Sequence, residues 1–387
     1  MIDTIALLLT NDQFLITKPE LFHPHANWAY KSTSAVGNKG YISSKQNMSV
    51  GDKAHGRYKP RLTLTKRVSK PSVQITLRIE FSAPKLLFGN NFDEVTQEQL
   101  KEIILKLHSV LLEMGVKTSV QTLINSSVSA IHYSKNIPLT NGQSTLPILK
   151  EIYKANISKR LDFNQTDFRN EGHSIKYRNN SLEITFYDKI RDLEFASYSE
   201  KRALENDNSI QLAIAKKLAN YKKKKPLEVL RMEVRLNTKR KIKSVLKNLV
   251  LLHELRLKDL FKLETSQKVL INYLDMIENN LPKTLYYTET SIIDTLSSII
   301  INNPKTNIKD IFALLGLHKS LEELSVREIR AMFGKTTPTS WYRFIKKMNG
   351  FDIPRNRGSP LQPIRQTIIN YLPLKINEYI IYSEKEK

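Results

Sequence analysis

Two stretches decide the fold of this chain: Leu182–Arg191, with the sequence LEITFYDKIR, and Val229–Leu236, with the sequence VLRMEVRL. Both alternate apolar and polar residues with a period of two, which is typical of a β-strand that buries one face. Two such strands in one sheet would share a polar face. That face would carry Glu183, Thr185, Tyr187, Lys189, Arg231, Glu233 and Arg235.

The residue types on this polar face suit chemistry on phosphodiesters. A tyrosine can attack phosphorus and later be displaced, because its phenolate, with a solution pKa of about 10, leaves more easily than an alkoxide. We therefore take Tyr187 as the candidate nucleophile, with Lys189 beside it to hold the phosphate or to lower the pKa of the phenol. The alternative is a strand-edge tyrosine with a packing role, in which case Tyr177 and Tyr133 are the next candidates.

The composition indicates a polyanionic partner. The 387-residue chain has a net charge of +23 and a pI of about 9.8, and its basic residues interleave with Tyr, Phe and Asn, which favours nucleic acid over a membrane surface. It contains no cysteine, which excludes disulfides and thiolate chemistry. The start MIDTIALLLT lacks the features of a signal peptide, and no uncharged run reaches the ~18 residues of a membrane span. We expect a cytoplasmic protein with no membrane partner.

The chain divides by pattern into two predicted domains. Residues 1–240 mix strands and helices: Val73–Ser82 alternates cleanly, and Thr96 with Gln99 forms a capping box before an amphipathic helix. This mixture predicts an α+β fold, an antiparallel sheet covered on one side by helices. Residues 241–387 show helical spacing and predict a helical C-terminal domain.

Two further elements are predicted inside the first domain. The run Val120–Tyr133 reads as extended, and Ser209–Tyr221 reads as a helix.

Residues 325–348 have the pattern of a helix-turn-helix within the second domain. Ser325 and Glu328 form a capping box, and Thr337 with Pro338 suits the start of a second helix. Two neighbouring helices of an ordinary bundle are the alternative. The face of the second helix that would contact a DNA groove or backbone carries Arg343, Lys346 and Lys347.

Several segments match, in order, the pattern of one family. They are the MIDT start, RIEFSAPKLLFGNN (Arg78–Asn91), VSAIHYSKN (Val128–Asn136), FRNEGHSIKYRNNSLEITFYDK (Phe168–Lys189) and LRMEVRLNTKR (Leu230–Arg240). With these segments the chain resembles the gene II/X-type replication initiators of filamentous phages and related plasmids, rolling-circle endonucleases related to the HUH nicking enzymes. The resemblance covers about the first 240 residues.

The resemblance implies a function, a cofactor and partners. The function is that of a site-specific single-strand DNA endonuclease and strand transferase, which starts rolling-circle replication by forming a 5′-phosphotyrosine link through Tyr187. The cofactor is Mg²⁺ or Mn²⁺. The partners are origin DNA, single-stranded or supercoiled duplex, and the host helicase and polymerase in the cytoplasm of a bacterial cell. The alternative is a non-catalytic DNA-binding regulator of replication or copy number.

The candidate metal ligands are Glu80, His132 and Glu233, each on the polar side of its predicted strand. The chain lacks the His-hydrophobic-His strand of the HUH pattern, and His132 stands where the filamentous-phage type has an aspartate. Oxygen ligands with one imidazole suit Mg²⁺ or Mn²⁺ better than zinc. Glu233 between Arg231 and Arg235 could instead belong to an ion-pair network.

The candidate DNA contacts are basic residues from both domains. The run Lys222–Lys225, directly before Pro226, suits either a solvated helix end or a phosphate contact. The full set of candidate contacts is Lys85, Arg231, Arg235, Lys222, Lys223, Arg343, Lys346 and Lys347.

Overall fold

A computed structural model describes residues 1–30, 41–69, 72–139, 143–157, 162–169, 172–198, 228–250, 254–283, 291–333, 338–353 and 358–377. Its strands are β1 Ile2–Thr10, β2 Leu15–Ile16, β3 Tyr41–Gln46, β4 Arg61–Ser69, β5 Ser72–Ser82, β6 Val116–Lys117, β7 Ser127–Leu139, β8 Asp162–Arg169, β9 Ser174–Arg178, β10 Leu182–Asp188 and β11 Glu228–Leu236. Its α-helices are α1 Val50–Ala54, α2 Ala83–Phe88, α3 Leu100–Glu113, α4 Val120–Asn125, α5 Thr145–Tyr153, α6 Lys189–Tyr198, α7 Lys239–Leu249, α8 Leu257–Leu260, α9 Leu263–Glu278, α10 Ile292–Asn302, α11 Ile308–Glu323, α12 Val326–Met332, α13 Pro338–Met348 and α14 Gln362–Ile369.

The main feature is a nine-stranded sheet in the order β3-β4-β5-β1-β7-β11-β10-β9-β8, in which neighbouring strands are antiparallel. The short strands β2 and β6 pair separately. The chain is therefore a mixed α and β protein with a large antiparallel sheet, which confirms that part of the sequence prediction. None of the helices in the described ranges is long and apolar enough to cross a bilayer.

The two faces of this sheet differ in chemistry. On one face, side chains such as Tyr133, Met232 and Val234 lie in a large hydrophobic core, and helices α7 and α9 pack on β7 and β11. Burial of these side chains supplies the main stabilising free energy. The opposite face is polar across β5, β7, β11, β10 and β9, and the predicted site residues that lie on it are Glu80, His132, Tyr187, Arg231, Glu233 and Arg235.

Strand β10 is shorter than the sequence pattern predicts. It ends at Asp188, whose carboxylate accepts a hydrogen bond from the backbone N–H of Arg191 at 3.0 Å. This N-cap contact satisfies an unpaired donor of the first helical turn, so helix α6 begins at Lys189. The assignment of Lys189 to the strand was therefore wrong.

The predicted extended run from Val120 to Tyr133 also divides into two elements. Ser119 accepts a hydrogen bond from the backbone N–H of Thr122 at 3.0 Å, and this cap starts helix α4. The strand begins only at Ser127. The helix predicted at Ser209–Tyr221 lies outside the described residues.

The helices after β11 distribute between two hydrophobic cores. Helices α7 to α9 and α14 join the core of the sheet, whereas α10 to α13 form a second core around Leu314 and Trp341. Helix α13 begins at Pro338 and α12 begins directly after the Ser325–Glu328 capping box, as predicted, and α12 ends at Met332. After this second core the chain returns to the first, where Tyr371 is buried, and Leu374 is buried in a small separate cluster with Phe92, Ile190, Leu193 and Val229.

Candidate active site

The site is centred on the hydroxyl of Tyr187. Antiparallel pairing of β10 with β11 places Tyr187 opposite Arg231 and leaves Glu233 two residues along on the same face. The Tyr187 hydroxyl donates a hydrogen bond of 2.9 Å to Oε1 of Glu233. The structure thus brings together a phenol and a carboxylate that are 46 residues apart in sequence.

Glu233 is a buried carboxylate with both oxygens occupied. Oε1 also accepts from Nε of Arg231 at 2.8 Å, and Oε2 accepts from Nε and a terminal nitrogen of Arg235 at 2.9 and 2.6 Å. Burial alone would raise the pKa of Glu233, but Arg235 and Arg231 outweigh it and hold the pKa well below its usual range. Glu233 is therefore an anion that fixes the direction of the Tyr187 hydroxyl.

Arg231 is the structural centre of this layer. Its side chain is almost fully buried, and all five of its N–H groups make hydrogen bonds. The acceptors are Oε1 of Glu233, the carbonyl oxygen of Asn91, Oδ1 of Asn136, Oδ1 of Asp3 and Oγ of Ser134. No N–H is left for a phosphate, so Arg231 positions the site and does not fit the predicted DNA contact.

The resting phenol is protonated. Burial, followed by the negative charge of Glu233, raises the pKa of Tyr187 well above 10, although Arg231 opposes the shift. Attack on phosphorus therefore requires a proton acceptor and additional positive charge near the oxygen. Glu233 accepts the hydrogen bond of this hydroxyl and orients it, but the two arginines that depress its pKa make it a weak proton acceptor.

Lys189 supplies positive charge beside the phenol. Its Nζ lies 5.7 Å from the centroid of the Tyr187 ring and 3.7 Å from a carboxylate oxygen of Asp192. The side chain is fully buried, and within the described part of the chain its Nζ has no hydrogen-bond partner. Burial lowers the pKa of Lys189 to about 8. A buried ammonium with free donors is suited to receive an anion.

The three predicted metal ligands lie on the polar face but have different partners. Glu80 forms an ion pair with Arg78 at 2.6 Å, and Nε2 of His132 lies 3.2 Å from Oδ1 of Asn237. Burial and then Arg235 lower the pKa of His132. In the described ranges no three His, Cys, Asp or Glu side chains converge as a metal site. With both oxygens of Glu233 bonded to arginines and the tyrosine, the predicted trio does not fit a shared metal ion as arranged.

An open cleft lies next to the Arg231 network. It has a volume of about 680 Å³ and is lined by Asp3, Glu80 and Lys85, together with further basic side chains including Lys53 and Arg61. Asp3 also receives the hydrogen bond from Arg231 at 2.7 Å, so the cleft is connected to Tyr187 through Arg231 and Glu233. The predicted DNA contact Lys85 lines this cleft.

The other candidate tyrosines lie on the apolar side. Both Tyr133 and Tyr177 are fully buried, and their hydroxyls donate to the backbone carbonyls of Leu260 and Ile152 at 3.1 and 2.7 Å. Burial raises the pKa of each. Both hydroxyls face helices, which leaves Tyr187 as the candidate nucleophile.

The remaining predicted DNA contacts lie in three environments. Arg235 is partly exposed but bridges Glu233 and Glu183. Arg343 and Lys346 line a groove on the second core, whereas Lys347 forms an ion pair with Asp310 at 2.7 Å. Lys222 and Lys223 lie outside the described residues.

Sequence reasoning missed Asp3, Ser134 and Asn136 as members of the site. Asp3 is 228 residues from its partner Arg231, and neighbouring positions in the chain carry no sign of that contact. Alternation along β7 was the available signal, since Ser134 and Asn136 fall on the same face as His132.

Comparison with known proteins found no matching family model, no matching curated protein and no matching solved structure.

Proposed function

We propose that the chain is a tyrosine-dependent phosphodiester strand transferase. More particularly, we propose a site-specific single-strand DNA endonuclease that initiates rolling-circle replication. The observation that carries the proposal is the 2.9 Å hydrogen bond from the Tyr187 hydroxyl to an ionised, buried Glu233, with the ammonium of Lys189, which has no hydrogen-bond partner among the described residues, beside the ring. The resemblance to gene II/X-type initiators and the basic charge support DNA as the substrate.

The proposed reaction is a transesterification. The Tyr187 oxygen, oriented by Glu233, forms a bond to the scissile phosphorus while its proton passes to water, and the bond from phosphorus to the 3′-oxygen breaks. The released 3′-oxygen takes a proton from water and becomes a 3′-hydroxyl that can prime synthesis. The negative charge on the phosphoryl oxygens lies near Lys189. The phosphotyrosine link retains the bond energy, so a second 3′-hydroxyl can reverse the step and close a circle.

We also propose a requirement for Mg²⁺ or Mn²⁺, as the resemblance implies. Such an ion would neutralise charge on the phosphate. Of the three predicted metal ligands, Glu80 is the one whose side chain lines the cleft of about 680 Å³. Addition of EDTA to the label-transfer assay measures this requirement.

Label transfer from single-stranded DNA of random sequence tests the proposal. A 5′-phosphotyrosine holds the downstream fragment, so a label at the 3′ end should move with the protein on a denaturing gel, and a label at the 5′ end should not. Wild-type protein with Mn²⁺ should form this adduct, and EDTA should abolish it. Sequencing of the retained DNA then identifies the preferred site.

Two tyrosine variants decide where the link forms. Tyr187→Phe should form no adduct while still binding the DNA. The matched control Tyr177→Phe removes a buried hydroxyl from the adjacent strand β9 and should retain adduct formation. An adduct in Tyr187→Phe would move the nucleophile elsewhere. Salt-sensitive binding by wild type with no adduct at all would favour the alternative function, a non-catalytic DNA-binding regulator.

A further inference from the structure

A second concave surface lies away from the sheet face, between the two hydrophobic cores. It is a groove of about 800 Å³ between helix α13 and the chain segment Asn279–Lys283 that follows α9. Two contacts join the cores beside it: Arg327 donates to the carbonyl oxygen of Tyr153 at 2.7 Å, and Lys154 donates to that of Glu322 at 3.1 Å. We refer to it as the α13 groove.

The charge of the α13 groove is entirely positive among the described residues that line it. Lys283, Arg343 and Lys346 contribute cations, and no Asp or Glu side chain lines the surface. Arg343 and Lys346 are three residues apart on α13 and both are exposed, so they share the face that borders the groove. A surface with cations and no carboxylates is complementary to a polyanion.

The rest of the lining distinguishes an unpaired strand from a duplex. The floor is apolar and includes Leu281, Leu317 and Val326, and amide side chains such as Asn156 and Asn349 lie along it. A duplex keeps its bases stacked inside and would leave an apolar floor uncovered. An unpaired strand can turn its bases into such a floor and pair their edges with amides, while its phosphates face the cations.

An aromatic side chain stands beside the basic residues. Tyr342 lines the same groove and exposes 38% of its surface, a large fraction for a tyrosine next to a hydrophobic core. The guanidinium of Arg330 lies 5.5 Å from its ring centroid. Aromatic rings next to cations are the arrangement on which successive bases of single strands stack.

We propose that the α13 groove binds a segment of single-stranded nucleic acid, with its phosphates on Arg343 and Lys346 and a base against Tyr342. This site is separate from the sheet face and does not require Tyr187 to be a nucleophile. It also replaces the expected insertion of α13 into a duplex groove, because α13 presents its basic residues to a recess with an apolar floor.

Binding to a labelled oligothymidylate tests the proposal by fluorescence anisotropy over a range of salt concentrations. The Tyr187→Phe protein is used in every arm, so cleavage cannot alter the probe. The double change Arg343→Ala with Lys346→Ala should weaken binding by about tenfold and reduce the salt slope of log K by about 1.4, because each phosphate contact on a single strand contributes about 0.7. Tyr342→Ala should weaken binding with little change in that slope.

The matched control is Lys347→Ala, which removes the same charge from the same helix on the side that faces Asp310. It should leave affinity and salt slope unchanged. Oligouridylate and a duplex complete the arms. The duplex should bind more weakly than oligothymidylate. Tighter binding of oligouridylate than of oligothymidylate would assign the groove to single-stranded RNA, and equal binding of the two would assign it to single strands of either kind.

Two outcomes would overturn the proposal: an unchanged affinity in the double variant, or preferential binding of the duplex that the double variant abolishes. Circular dichroism confirms that each variant is folded, and the changes are at exposed positions of α13. Adduct formation is measured separately, so failure of this proposal and failure of the nicking proposal remain distinguishable.

Discussion

At the scale of single residues, Lys189 combines a cost to folding with a suitable position for catalysis. A buried ammonium without hydrogen bonds opposes folding, because the charged form loses its hydration. Lowering its pKa from 10.5 to about 8 corresponds to roughly 3 kcal/mol of opposition at neutral pH. A side chain that destabilises the fold is expected next to Tyr187 if its ammonium binds a substrate phosphate, because active sites often trade stability for function.

Replacing Lys189 by methionine should therefore stabilise the protein and abolish adduct formation. The folded pKa lies below the unfolded one, so protonation disfavours the folded state below a pH of about 8, and the penalty fades as pH rises toward 10.5. Urea denaturation should show a gain of about 1–3 kcal/mol at neutral pH that shrinks at alkaline pH.

Lys135→Met is the matched control, since Lys135 is buried but ion-paired with Glu94. It should destabilise the protein, because it leaves that carboxylate without its partner. A Lys189→Met protein less stable than wild type at neutral pH would contradict the assignment of Lys189 as a buried charge that opposes folding.

At the scale of elements, β11 organises the site because alternate residues of this one strand hold the polar layer. Arg231 connects β11 to β1 through Asp3 and to β7 through Ser134 and Asn136. Glu233 extends the layer to Tyr187 on β10. The strand therefore fixes the site through side chains as well as through its backbone pairing.

Arg231→Lys should destabilise the protein much more than Arg235→Lys. A lysine has three donors, so it would leave at least two of the five acceptors of Arg231 unbonded in a buried layer, at a cost of about 2–4 kcal/mol. Arg235 is partly exposed, and its replacement should cost less than about 1 kcal/mol. Urea denaturation of both variants checks this, and equal losses would refute the central role of Arg231.

The sequence predicted elements well where the signal was local. The two-residue alternation located β5 at Ser72–Ser82 and β11 at Glu228–Leu236, and helical spacing with a proline located α13. Errors occurred where a cap begins a helix inside a run of apolar residues, at Ser119 and Asp188. An Asx or serine cap depends on one hydrogen bond, which the hydrophobic period does not reveal.

The sequence predicted which face of the sheet carries the candidate site residues, but it did not predict their hydrogen-bond partners. Alternation placed Tyr187 and Glu233 on one polar surface, as the structure shows. It could not indicate that both oxygens of Glu233 are bonded, or that Asp3 joins Arg231, because these contacts depend on the order of strands in the sheet. Strand order is a property of long-range packing, which a single sequence specifies only weakly.

At the scale of the whole molecule, Glu94 ties three distant parts of the chain together. It forms an ion pair with Lys135, and it accepts hydrogen bonds from the backbone N–H groups of Asn136 at 2.7 Å and Leu374 at 2.8 Å. Burial would raise its pKa, but Lys135 and its other partners lower it overall. Its charge therefore holds the returning segment of residues 361–377 against β7.

Glu94→Gln should destabilise the protein by about 3–5 kcal/mol and loosen this segment. Hydrogen exchange should show faster exchange at Leu374 and its neighbours. The folded pKa of Glu94 is depressed, so the stabilisation is present above the unfolded pKa of about 4.5 and is lost as pH falls through the folded value. The variant should therefore lose less stability in acid than wild type does.

Glu264→Gln serves as the control for this experiment, because Glu264 forms an exposed pair with Lys268 on α9. Its replacement should leave the stability nearly unchanged, because solvent screens an exposed pair. Similar losses in the two variants would show that Glu94 does not hold the segment.

The contact between Glu94 and Leu374 joins positions 280 residues apart. During synthesis, the acidic side chain near β7 must therefore wait for a further 280 residues before it receives its last partner. Topologies rich in such remote pairings fold slowly, since loop closure precedes the gain from contact. The last strand of the sheet among the described residues, β11, ends at Leu236, so the nascent chain can pair its strands well before Leu374 emerges to join Glu94.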